Sequence, residues 1–316
     1  MANDHYVPQF YLRNFAISGK PGHVYCHKRN QKPVTKAIRS IASDEGYYTI
    51  QRADAIIAPT AFDEVYQTIE NKAAPIIHRL VNCLEFALCN EDKNYLSNFL
   101  ASLAFRTPWA RETAKNADLE LKKREFKDFA ADREAFEEFA KTYDPDLKGD
   151  EIEQRRRMMM DLEAHVTVKL KPTGENESYF MAFGLLLAQR SAPTLHRKNW
   201  HLIELRSSTV FVTSDNPVVR LTPPNYRPGT RVGFDNAPVL LPISPRRALL
   251  LDNQRHSEEI ISVGRDKAAE FNWHAVNHAY TSVFANLVLK DIQKAFDETE
   301  EAANALKPLQ TSSSCR

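Results

Sequence analysis

A chain of 316 residues, 26% charged and 43% apolar, has the make-up of a folded globular protein, which argues against a disordered tail protein or a membrane protein. Its 42 Lys and Arg against 41 Asp and Glu leave +1, so bulk charge does not mark a nucleic-acid coat, although a local basic groove is compatible with that balance. Glycine is scarce at 9 residues, under half the usual ~7%; with no G-x-G-x-x-G and no G-x-x-x-x-G-K-[ST], dinucleotide-fold and phosphate-loop chemistry are set aside.

The opening run His5-Tyr-Val-Pro-Gln-Phe-Tyr-Leu-Arg-Asn-Phe15 puts Pro8 where a helix starts, with Tyr11, Leu12 and Phe15 on one face and Gly19 as its stop. Strand-like runs over Val24–Lys28 and Pro33–Ile38 flank Asn30-Gln31, and a third covers Gly46–Ile50. From Pro59 the period changes to that of a helix, with Phe62, Val65, Tyr66, Ile69, Ala73, Ile76, Ile77, Leu80 and Leu84 as one stripe. Asn90 reads as the N-cap of the next helix, whose Leu96, Phe99, Leu100 and Leu103 turn inward. Thr107-Pro108 ends that helix and can begin another.

Between Arg111 and Arg157, 12 Lys/Arg and 14 Asp/Glu surround a thin stripe of Leu119, Phe126, Phe129, Phe136 and Phe139, the pattern of a partly solvated helical arm. Asp144-Pro145-Asp146 interrupts it before a helix over Gly149–Leu170. An apolar helix over Tyr179–Gln189 returns to the core. Strands follow at Trp200–Leu205, Thr209–Thr213, Val218–Leu221, Val239–Leu241 and Ala248–Leu251, with Pro242 and Pro245 confining the fourth to an edge or a strand end. Helices over Arg265–Asn286 and Lys290–Leu306 close the chain, and residues 311–316 read as a disordered tail.

The fold expected is α+β: a mixed or antiparallel sheet built from N- and C-terminal strands and packed on a largely helical middle. One domain spans 1–310, with 109–170 as a projecting arm. Cys26, Cys83, Cys89 and Cys315 form no C-x-x-C and no ladder of spacings, which points to reduced thiols. With neither an export signal nor an apolar stretch of ~20 residues in view, the location expected is cytoplasmic.

Three polar groups carry possible chemistry. His5, before the first helix, suits a general base or a phosphate contact, or else a turn residue. Thr213-Ser214-Asp215-Asn216-Pro217 lies between strand runs, where Asp215 can orient a histidine or hold a metal and Asn216 can donate to an oxyanion; an Asx turn before proline uses the same residues. Arg106 ends a helix beside a proline with Arg111 five residues on, a fork suited to phosphate or to an internal ion pair. Glu64 and Glu70 stand six apart, roughly 240° around the helix, so they do not share a site; Glu70 alone is a partner for His5 or Arg106. Gln9 and Arg13 join Arg111 as substrate contacts. His23-x-x-Cys26-His27 lacks the second ligand pair that zinc requires.

Five segments in order, H-x-V-P-x-x-Y-L-x-x-F from His5, I-E-x-x-A-A from Ile69, R-T-P at Arg106, T-S-D-N-P-V from Thr213 and L-P-I-S-P-R-R from Leu241, resemble the domain-of-unknown-function 4238 family over roughly residues 5 to 290. The resemblance implies that His5, Glu70, Arg106, Asp215 and Asn216 are the family's marked positions, in bacterial proteins of accessory or defence type. Two functions are expected from these residues. One is a phosphodiester hydrolase, an RNase- or toxin-like effector acting on RNA, with a divalent cation on Asp215 and Glu70. The other is a binding or scaffold protein whose polar motifs form a buried network and whose arm meets a protein partner or a second copy.

Overall fold

The computed structural model describes residues 3–48, 60–160, 174–222, 233–254 and 259–298. The expectations for 49–50, for the helix beyond 160, for the last helix beyond 298 and for the tail lie outside those residues. The elements in chain order are β1 (Asn3–His5), α1 (Gln9–Arg13), β2 (His23–Lys28), β3 (Val34–Ala37), β4 (Ser43–Glu45), α2 (Ala61–Asn82), α3 (Asn90–Phe105), α4 (Pro108–Ala131), α5 (Arg133–Tyr143), α6 (Gly149–Met160) and α7 (Gly174–His196). There follow β5 (Asn199–Leu205), β6 (Thr213–Ser214), β7 (Val219–Arg220), β8 (Val239–Ser244), β9 (Arg247–Asp252), β10 (Ile260–Val263), α8 (Arg265–His278), β11 (Ser282–Ala285) and helical residues 291–298. The class is α+β, and among the described residues no helix is long and apolar enough to cross a membrane.

The five-stranded sheet, in order β10-β5-β9-β8-β7, forms the centre. It is antiparallel except for the parallel pair β10–β5. Successive side chains on a strand point to opposite faces, and here both faces are covered. Trp200, Leu202, Val239, Leu241, Leu249 and Leu251 face a core with α1, α2, α3 and α7. Ile203, Leu205, Leu240 and Ala248 face a second core with α8 and β11. These strands therefore carry apolar residues on both faces rather than on alternate positions only. A four-stranded antiparallel sheet, β3-β2-β11-β6, joins early and late segments, while β1 pairs with β4 on its own.

Several expectations are corrected. The strand expected at 46–50 is β4 at Ser43–Glu45, which pairs with the unforeseen β1, and α1 ends at Arg13, well before Gly19. Cys89, not Asn90, caps α3, in a reciprocal pair with Asp92. Val65 and Leu84 are exposed. Of the run 209–213, only Thr213 enters a ladder. β8 runs through Pro242 because β7 covers only Val239 and Leu240, and a register shift between Pro242 and Ser244 accommodates the missing N–H. Residues 282–285, read as helix, form β11, and β10 was not anticipated.

α7 crosses α3 closely: a Cβ on Gly184 would lie 2.8 Å from the carbonyl oxygen of Phe105. Gly184→Ala should cost about 2 kcal/mol by forcing backbone apart. Urea unfolding of the variant measures this, and an unchanged midpoint contradicts it. α5 and α6 pack chiefly on α4 and on each other around Ala130, Phe136, Ala140, Leu147 and Ile152. Glu137, 44% exposed, and exposed Glu138 fit a solvated arm; the side chains of Lys122 and Lys123 lie outside the described set. Phe139 of the expected stripe is exposed, whereas Phe136 is buried.

Candidate functional site

The N-terminal segment is held by tyrosines. α1 buries Tyr11, whose hydroxyl lies 2.6 Å from both Thr213 Oγ1 and the Pro242 carbonyl, tying the first motif to the fourth and fifth. Tyr6, Tyr47, Tyr48 and Tyr66 form a row with successive ring centroids 5.3, 5.2 and 5.0 Å apart. Burial pushes the Tyr6 hydroxyl up, with the Asp215 carboxylate the next contributor. Burial likewise holds Tyr48 well above the ordinary phenol range, keeping it a neutral donor.

At the far end of the row, Arg106 is almost fully buried where α3 stops. Its Nη1 donates to Glu70 Oε1 at 2.7 Å, and its guanidinium lies 5.0 Å from the Tyr66 ring centroid. The Arg106 carbonyl accepts from the Tyr47 hydroxyl at 2.8 Å. Its Nε and Nη2 are buried without an acceptor among the described residues. His5 is not at a helix N-terminus, as the sequence suggested; it ends β1, opposite Ser43, because Ser43–Glu45 supplies a ladder there. The His5 carbonyl accepts from Tyr48 Oη at 3.2 Å, and its buried Nε2 has no partner among the described residues.

Asp215 and Asn216 follow β6. Asp215, 1% exposed, accepts four hydrogen bonds: Tyr280 N at 2.8 Å, Thr281 N at 2.8 Å, Thr281 Oγ1 at 2.7 Å and Ser282 N at 2.9 Å. Burial pushes its carboxyl up, and the four donors oppose that rise. Asn216 Nδ2 donates to the His278 carbonyl at 2.8 Å, and its Oδ1 accepts from Thr107 Oγ1 at 3.3 Å. Thr107 is also the N-cap of α4, so one hydroxyl group starts a helix and holds the strand end.

Arg111 stacks 3.7 Å from the Tyr47 ring centroid and donates to the Tyr47 carbonyl at 3.3 Å. Arg13 donates to Gln9 one turn earlier on α1, and among the described residues no hydrogen bond links either to His5, Arg106 or Asp215. Glu70 and Asp215 serve different protein partners, and among the described residues no three His, Cys, Asp or Glu side chains group as metal ligands. Arg156 and Arg157 both pair with Glu153 at 2.9 Å on the arm. Arg247, from the fifth motif, donates to the Leu80 carbonyl at 2.7 Å and so holds the end of α2. The sequence reading passed over Tyr48, Tyr66, Thr107 and the donors at 280–282. The paired tyrosines after Gly46 were a legible signal, whereas backbone donors leave none.

The molecule is thus an α+β protein in which five short motifs, far apart in sequence, lock two edges of the fold together through buried polar contacts. The chain belongs to the family described as Protein of unknown function (DUF4238), whose model matches residues 3–287. No curated protein and no solved structure matches it.

Proposed function

We propose that this chain is a non-enzymatic binding protein in which the family's polar positions form a structural frame and the α4–α6 arm meets the partner. One observation carries the reading: the Asp215 carboxylate, 1% exposed, holds four internal donors, three on Oδ2 and one on Oδ1. Its hydrogen bonding is thus directed into the 280–282 turn rather than toward a substrate. Asn216 is likewise engaged on both ends of its amide. The arm, with its own small core and charged exterior, is supported as the working surface by exposed Leu121, Phe139 and Met158 among the charges. A cytoplasmic location belongs to this reading, supported by Cys26, Cys83 and Cys89 standing as free thiols.

A second reading, a phosphodiester hydrolase of the RNase, toxin or defence type acting on RNA, is favoured by the open nitrogens of Arg106 and His5. A divalent cation remains part of that reading only. Incubating the chain and His5→Ala with labelled RNA, beside thermal unfolding of both, separates the two. The binding reading expects intact RNA and a lowered Tm for His5→Ala, because the Nε2 edge of the imidazole is enclosed by the fold. Cleavage that falls ~10²–10⁴-fold in His5→Ala at unchanged Tm reverses the order of the readings.

A further inference from the structure

We infer that the guanidinium of Arg220, where β7, the first turn of α4 and the last turn of α8 come together, binds an oxyanion, a phosphate or a carboxylate. Arg220 ends the edge strand β7 of the central sheet. Its guanidinium carbon lies 5.6 Å from the Trp109 ring centroid and 5.7 Å from that of Phe234. The residue is half-buried, and among the described residues no hydrogen bond and no ion pair reaches its side chain. The contrast with the other enclosed arginines is direct, since Arg106 has Glu70, Arg156 has Glu153 and Arg247 has Glu204.

Charged groups removed from water are ordinarily paired. Burial pulls the Arg220 guanidinium down. The neighbouring His278 is held neutral, at about 4, by burial first, with the charge of Arg220 among the further causes, so it does not compete for an anion as a second cation. Asn216 spans the same place, joining the His278 carbonyl to Thr107 at the start of α4. α4 opens on Pro108, which has no N–H, and its Ala110 N–H is taken by Thr107 Oγ1, so that end contributes through the positive potential of the helix. Two aromatic rings hold the guanidinium in place, and its fork fits the geometry of a planar or tetrahedral oxyanion.

Thermal unfolding of the full chain at constant ionic strength tests this, with sodium phosphate and sodium acetate titrated against sodium chloride. The expected result is a saturable rise of about 2 °C at ten times Kd for one of the two anions. A larger response to phosphate assigns a phosphate-bearing ligand, and a larger response to acetate a carboxylate. Arg220→Gln should abolish the rise, Arg220→Lys should weaken binding at least tenfold, and Arg106→Lys should leave it intact. Absence of any saturable rise in the wild-type chain overturns the inference, as does an equal rise in Arg220→Gln or a rise lost only in Arg106→Lys. If Arg220→Gln does not fold, the ³¹P linewidth of phosphate and the ¹³C linewidth of labelled acetate, each mixed with the wild-type chain, decide. Lines that stay sharp for both anions overturn the site, and broadening reversed by excess unlabelled anion supports it.

Discussion

Asp215→Ala lowers the free energy of unfolding by about 4 kcal/mol, the largest loss expected of any single substitution among the marked residues. The carboxylate is the acceptor for three consecutive backbone N–H groups, Tyr280, Thr281 and Ser282, and for the Thr281 hydroxyl. Each buried donor left without an acceptor costs ~1–3 kcal/mol, and partial movement of the 280–282 turn into contact with water recovers some of the sum. Asp215→Asn retains the shape but turns an amide N–H₂ toward donors that need an acceptor, so it should cost about half as much. Urea unfolding monitored by circular dichroism measures both. A loss under about 1 kcal/mol for Asp215→Ala would show that the clamp is dispensable and would free the carboxylate for a catalytic role.

Stability should also fall as pH drops from about 6.5 to about 4, and His278 should account for much of the slope. Its imidazole is held down to about 4, burial being the main cause, against an ordinary value of 6.5. Within that window the unfolded chain takes up a proton that the folded chain refuses, so stability rises with pH and is lost on acidification. A shift of that size corresponds to about 3 kcal/mol. His274 and His27, also lowered by burial, add to the same slope. Asp215, Asp44 and Asp63 are raised by burial and act in the opposite sense above the ordinary aspartate value, where their folded forms hold protons longer. The comparison is therefore made with His278→Gln, which keeps the other groups. Its unfolding free energy should decline by about 3 kcal/mol less than that of the wild type between pH 6.5 and 4. Parallel curves for the two chains would refute the assignment to His278.

The helical middle was legible because amphipathic periodicity and proline punctuation are local properties: Phe62, Tyr66, Ala73, Ile76 and Leu80 turn inward as spaced, and Thr107-Pro108 divides two helices where expected. Short strands were less so. β6 and β7 have two residues each and exist because a neighbour supplies the ladder, not because their own residues alternate. The stretch 279–286 has no breaker strong enough to distinguish a strand from the end of a helix; the carboxylate of Asp215, more than 60 residues earlier, gathers the N–H groups that turn the chain there. The polar residues of the site were found as letters in motifs. Their engagement with backbone groups, which decides between chemistry and architecture, is a three-dimensional property that spacing does not encode. Arg220 escaped notice for a related reason: an arginine in an apolar strand looks ordinary until its side chain is seen to meet no acid among the described residues.

The place of β11 in the four-stranded sheet bears on how the protein is made. That strand pairs with β2 on one side and β6 on the other, and it reaches the folding chain roughly 250 residues after β2. At ribosomal rates of ~5–20 residues per second this is a delay on the order of 10–50 s. Throughout it, the edge of β2 that β11 will cover stays open, and Asp215, once synthesised, has none of its four donors. Completion of the sheet is thus a late, long-range event that the emerging chain cannot carry out piecemeal. Nascent chains halted between Asn216 and Tyr280 are expected to expose a pairing edge to other chains and to depend on chaperone protection until synthesis resumes.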